Sequence, residues 1–199
     1  MKSRSVIAAA LVLAALSACV AQVGPVEVTR FHLPEIAQNT RGIIEVQAAP
    51  GTDGASLEFR SYAAAVARQL VLLGYSDKIA DDTASPQIAL VRLERHTFRP
   101  DRARGPVSVG VGGSTGSYGS GVGVGIGLDL SGPPPEQVQT LLGVTIKERA
   151  SGRALWEGKA TFSVRATSPL ATTQLGAAKL AEALFKGFPG SSGETIQVQ

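Results

Sequence analysis

The amino-acid sequence predicts an α+β fold: a mostly antiparallel β-sheet with two helices packed on one face and a glycine-rich β-hairpin extension. Three observations predict it. Strand-like runs and helical patterns follow one another in the order strands, helix, strands, helix. Residues 156–165 alternate core-type and polar side chains, as a half-buried strand does. Gly121-Val122-Gly123-Val124-Gly125-Ile126-Gly127-Leu128 alternates just as strictly, with glycine in place of the polar residue.

In chain order, residues 26–31 and 43–48 read as strands, since both are rich in β-branched residues and partly alternate. Pro50-Gly51-Thr52-Asp53-Gly54 makes a turn. Ser56 can then cap a helix that carries Glu58 in its first turn. Phe59, Tyr62, Ala63, Val66, Ala67, Leu70 and Leu73 recur at helical spacing, and Gly74 supplies the stop.

Ile88-Ala89-Leu90-Val91-Arg92-Leu93 is a short apolar run after Pro86, read as a largely buried strand. Residues 141–147 and 154–165 are two more strands, joined by a tight loop that includes Gly152. In the last of them Trp156, Gly158, Ala160, Phe162 and Val164 share the core side, which makes Trp156 a packing anchor. Ser168-Pro169 opens a second helix through Ala177, Leu180, Ala181, Leu184 and Phe185, which stops at Gly187 before Pro189.

Residues 105–132 hold 11 of the 23 glycines, with no charged side chain from 107 to 128. Val107, Val109 and Val111 alternate on the first arm, and Val122, Val124 and Ile126 on the second. Three readings compete for this segment. It extends the main sheet as a weakly held hairpin, it associates with itself or a membrane, or it is a catalytic or phosphate-binding loop. Gly112-Gly113-Ser114-Thr115-Gly116 matches G-x-S-x-G, but a nucleophile elbow needs a later histidine, and His32 and His96 both precede it.

Lys2 and Arg4, an apolar run from Val6 to Leu16, and then Leu16-Ser17-Ala18-Cys19 have the order of an export signal that ends in a bacterial lipobox. Cys19 is the only cysteine, so no intramolecular disulfide can form, and lipidation accounts for the thiol. Cleavage before Cys19 removes two basic and no acidic residues, leaving 17 against 16 and a net charge of +1 in place of +3. The whole-chain pI of 9.2 is therefore no sign of nucleic-acid binding. Val20 follows the cysteine where an aspartate would signal inner-membrane retention, so sorting to the outer membrane is expected.

Residues 1–18 are expected to be a cleaved signal peptide and 19–25 a lipidated tether. Residues 26–189 form a single domain with the glycine-rich hairpin at 107–130, and 190–199 form a flexible tail. The densest cationic run is Arg92, Arg95, Arg99, Arg102 and Arg104; with Val122, Val124 and Ile126 it is the candidate interaction surface. His32 and His96 stand 64 positions apart, with no cysteine or carboxylate pair at ligand spacing. Asp81-Asp82 reads as a solvated turn. No residue set composes an active site and no cofactor is expected, so the expectation is a non-enzymatic protein.

Leu57-Glu58-Phe59-Arg60-Ser61-Tyr62 leading to Leu72-Leu73-Gly74-Tyr75, the glycine-rich stretch, Ser151 to Ala160 and a closing helix ending Phe188-Pro189 resemble one bacterial lipoprotein family. It is the family known as domain of unknown function 4136, and the resemblance covers roughly residues 24–189. It implies a lipoprotein of Gram-negative bacteria that faces the periplasm, and it brings no catalytic residues. The expected partners are the membrane, through the lipid on Cys19, and either an unknown envelope protein or a second copy. The expected role is a binding or structural accessory; the alternative is an oligomeric secretion or transport component that uses the glycine-rich hairpin. The strand–helix order is similar to that of envelope lipoproteins that assemble secretion pores, an analogy of fold alone.

Overall fold

The computed structural model describes residues 24–37, 41–76, 85–101, 107–116, 119–128 and 133–199. Cys19, Arg102, Arg104 and Asp81-Asp82 lie outside the described residues. The elements are β1 (Val26–His32), β2 (Ile44–Ala48), α1 (Leu57–Leu72), β3 (Gln87–Phe98), β4 (Val107–Gly116), β5 (Gly119–Leu128), β6 (Gln137–Glu148), β7 (Ala154–Arg165), α2 (Thr173–Phe185) and β8 (Thr195–Val198).

Six strands form one sheet in the order β2-β3-β6-β7-β1-β8, and two helices complete an α+β fold. The sheet is mixed rather than purely antiparallel, because β2 and β3 run parallel, with Ile44 opposite Gln87 and Ala48 opposite Val91. The cause lies in the chain order. The link from β2 to β3 passes through α1, and a helical crossover returns the chain in the same direction. The other four pairings are antiparallel.

One face of the sheet carries the core. Ala89 and Val91 of β3, Leu142, Val144 and Ile146 of β6, and Trp156, Ala160 and Phe162 of β7 pack in one cluster with both helices. α1 contributes Phe59, Tyr62, Ala65, Val66 and Leu70, and α2 contributes Ala177, Leu180, Ala181 and Leu184. Ser56 Oγ accepts from the Phe59 N–H at 3.0 Å, which caps α1. Gly74, at φ +92°, ends it, in a conformation that a side chain resists. Stacking of Trp156 on Phe185, centroids 5.3 Å apart, closes the upper end of the core.

The tail at 190–199, expected to fray, is instead built into the sheet. Residues 195–198 form β8 against β1, with Ile196 opposite Val28 and Val198 opposite Val26. Backbone pairing overrides the weak local propensity. The turn before β8 is held by the Gly193 N–H donating to Arg30 O and by the His32 N–H donating to Ser192 Oγ.

β4 and β5 pair antiparallel as a separate two-stranded ladder. Its register sets Val109 opposite Ile126, Val111 opposite Val124 and Gly113 opposite Val122. Both strands belong to the chain between Phe98 and Gln137, which are opposite each other at the end of the β3–β6 ladder.

Candidate functional site

Among the described residues both helices pack on one face of the sheet and leave the other open. Alternation along the strands turns Thr29 and Phe31 of β1, Leu90, Arg92 and Glu94 of β3, Leu141, Gly143, Thr145 and Lys147 of β6, and Glu157 and Lys159 of β7 to that side. Together they line a groove of about 570 Å³. Gly143 sits in its floor and leaves room, since no side chain rises there beside Leu141 and Arg92. Phe31, Leu90 and Leu141 give an apolar lining, while Arg92, Lys147, Lys159, Glu94 and Glu157 bring charges of both signs. A second hollow lies farther down the same face, between Glu27, His96, Gln139 and Thr161.

Among the described members of the cationic run, Arg92 and Arg95 lie on opposite faces of the sheet. A strand alternates sides, so Arg92 faces the groove and Arg95 faces the helices. Arg92 Nη1 lies 3.4 Å from Glu94 Oε1 at an exposed pair of little energetic weight. Arg95 Nη1 donates to Glu58 Oε1 at 2.5 Å, and its Nη2 donates to Ala171 O. Arg95 therefore corrects the expectation: its guanidinium is spent on holding β3, α1 and the entry to α2 together. Arg99 is exposed just beyond β3. Val122, Val124 and Ile126 lie in β5, apart from the groove strands.

Three further polar groups could not be read as a set from sequence. Arg30 is buried on the core side of β1, where its Nε and Nη2 donate to Leu184 O and Ala183 O, each at 3.0 Å. It meets the unpaired carbonyls at the end of α2, and burial lowers its pKa, opposed by the negative charge of Glu194. The His32 ring lies between Leu33 O and Gly190 O at 3.0 Å each, while His96 is exposed on the opposite face of the sheet. Glu45 titrates lower than usual, first because Gln47 Nε2 donates to it and then through Arg149. Among the described residues no group of histidine, cysteine or carboxylate side chains is arranged to hold a metal ion.

Such a groove can hold an extended or irregular surface by apolar contact and scattered hydrogen bonds. The signal for it was present in the sequence, since Phe31, Leu90 and Leu141 are apolar residues at positions that alternation assigns to the wet side.

No family model matches the chain. An uncharacterized protein of Zymomonas mobilis subsp. mobilis is 29% identical over 217 residues of alignment, which span 88% of this chain and 80% of that one. Among solved structures, a PDZ domain protein from Parabacteroides distasonis aligns with a TM-score of 0.45 at 10% identity over 88% of this chain. This chain spans 39% of the length of that protein. The PelC dodecamer from Paraburkholderia phytofirmans aligns with a TM-score of 0.39 at 15% identity, over 80% of this chain and 97% of that one.

Proposed function

We propose that the protein is a lipid-anchored lipoprotein of the bacterial envelope, sorted to the outer membrane and facing the periplasm, where it acts as a non-enzymatic binding or structural accessory. The observation that carries this reading is the order of Lys2, Arg4, the apolar run 6–16 and Leu16-Ser17-Ala18-Cys19 around the sole cysteine. The proposal includes membership of the family known as domain of unknown function 4136. The open sheet face supports a binding role, because it combines an apolar floor with charges of both signs.

The test is metabolic labelling with an alkyne fatty acid, followed by separation of inner and outer membranes. Label on the wild-type chain in the outer-membrane fraction, abolished by Cys19→Ala, is the expected result. An unlabelled chain in the soluble fraction overturns the reading.

A second reading keeps the glycine-rich hairpin as an extension through which copies assemble into a secretion or transport component. The β4–β5 register favours it, since glycine stands opposite glycine at 110/125 and 112/123, where another backbone can approach closely. A detergent-extracted chain that sediments as a monomer contradicts it.

A further inference from the structure

The strand directions decide which end of the domain a tether can hold against a membrane. β1 begins at Val26, level with Phe162 of β7, Thr140 of β6 and Arg95 of β3. Below that level the sheet continues for three more rungs, to Phe98, Gln137 and Arg165, or about 10 Å. Above it, β6 runs eight further residues to Glu148, about 27 Å. Seven residue steps separate Cys19 from Val26 and span at most about 25 Å when fully extended. Such a tether passes the overhang of the six-stranded sheet with about 15 Å to spare. It cannot bring the loop 149–153 at the upper end down to the anchor.

Exposed large apolar side chains lie at both ends: Val71 and Leu72, at the far end of α1, are 48% and 73% exposed, and a second group lies at the lower end. α1 starts there, because Glu58 reaches Arg95, and α2 starts there, because Thr173 Oγ1 donates to Glu58 Oε1 at 3.3 Å. Leu57, next to Glu58, is 76% exposed; Leu175, two residues after Thr173, is 51% exposed; Phe98, at the foot of β3, is 39% exposed. Of the two groups only the lower one comes within reach of an acyl anchor on this tether, and such side chains insert shallowly into a bilayer interface. The whole chain from Phe98 to Gln137, glycine-rich ladder included, departs from this same end.

We infer that the lower end of the domain is a bilayer-contacting surface, with Leu57, Leu175 and Phe98 seated in the lipid interface and the groove facing sideways. The inference rests on the lipid-anchor reading, and its occupant is the lipid surface rather than a protein partner.

The test uses the full chain purified from membranes and reconstituted in phosphatidylethanolamine–phosphatidylglycerol vesicles containing brominated lipid. Leu57→Trp and Leu175→Trp report on the lower end, Ala150→Trp on the upper loop and Lys159→Trp on the open sheet face. The native Trp156 is buried in the core and serves as background. Brominated lipid is expected to reduce the added fluorescence of both lower-end variants by about twofold or more, as for side chains 5–10 Å into the interface. Ala150→Trp and Lys159→Trp are expected to stay unquenched. Quenching of Ala150→Trp or Lys159→Trp, or of none of the four, overturns the orientation even when the mass of Cys19 shows acylation. Cys19 without acyl mass overturns the anchor reading itself, and the orientation with it.

Discussion

Arg95 Nη1 lies 2.5 Å from Glu58 Oε1, so the lower half of β3 is tied to the first turn of α1. The same carboxylate accepts from Thr173 Oγ1, and the same guanidinium reaches Ala171 O. Three elements thus converge on one ion pair between sheet and helices. Both side chains keep some solvent exposure, which limits its weight. Arg95→Ala should lower the stability in urea by about 1–2 kcal/mol, and Glu58→Gln by less, since the amide still accepts. Arg95→Lys should recover only part, because one ammonium cannot serve both acceptors as a planar fork does. Equal stability of Arg95→Ala and wild type contradicts the assignment.

Arg30 plays a comparable part at the upper end, but buried. Arg30→Ala leaves the carbonyls of Ala183 and Leu184 unpaired at the end of α2 and should cost about 3 kcal/mol. Gly190→Ala should be destabilising for a related reason. Gly190 has φ +83°, and a Cβ there would stand 2.8 Å from Arg30 Nη1. A drop of about 1–3 kcal/mol is expected, read as a lower thermal midpoint.

Two glycines on opposite faces of the sheet predict opposite outcomes. A Cβ at Gly158 would collide with the Trp156 ring and stand 2.8 Å from Leu184 Cδ1, so Gly158→Ala should cost about 3 kcal/mol. A Cβ at Gly143 meets Arg92 Cβ at 3.5 Å, an ordinary contact on the open face. Gly143→Ala should be neutral, or stabilising by about 0.5 kcal/mol, through reduced freedom of the unfolded chain. Chemical denaturation of both variants checks the pair.

Burial pushes the Tyr62 and Tyr75 phenols above their usual range. Their neutral forms are favoured inside, so the folded chain holds these protons more tightly than the unfolded chain does. The stability they contribute is fully present below about pH 10, where an unfolded tyrosine titrates, and is lost as pH rises through the folded values. Tyr62→Phe should therefore flatten the alkaline fall in stability, measured by denaturation at a series of pH values. An unchanged slope contradicts the burial argument.

Legibility from the sequence varied with the kind of force at work. From Trp156 onward β7 follows strict alternation, and Trp156, Gly158, Ala160, Phe162 and Val164 are all buried as that pattern requires. α1 was legible too, because its cap, apolar stripe and stop all lie within its own residues. β3 ends five residues beyond the apolar run at 88–93, since pairing with β6 continues through Arg95, His96 and Thr97. β8 was hidden because Thr195–Val198 becomes a strand only when β1 offers its edge. The inward turn of Arg95 was readable in principle, being two residues after Leu93 and four after the buried Val91. The strand–helix–strand order of residues 43–93 implies a parallel pair, which the antiparallel expectation left out. The groove escaped because Phe31, Leu90 and Leu141 are scattered over three strands.

The central claim, a domain held at a membrane by lipid on Cys19, is tested most directly by the mass of the N-terminal peptide of the chain extracted from its own bacterium. The account predicts a peptide that begins at Cys19 and carries diacylglycerol on the thiol and an acyl group on the amine. A peptide that retains residues 1–18, or begins at Cys19 or elsewhere with an unmodified thiol, contradicts it.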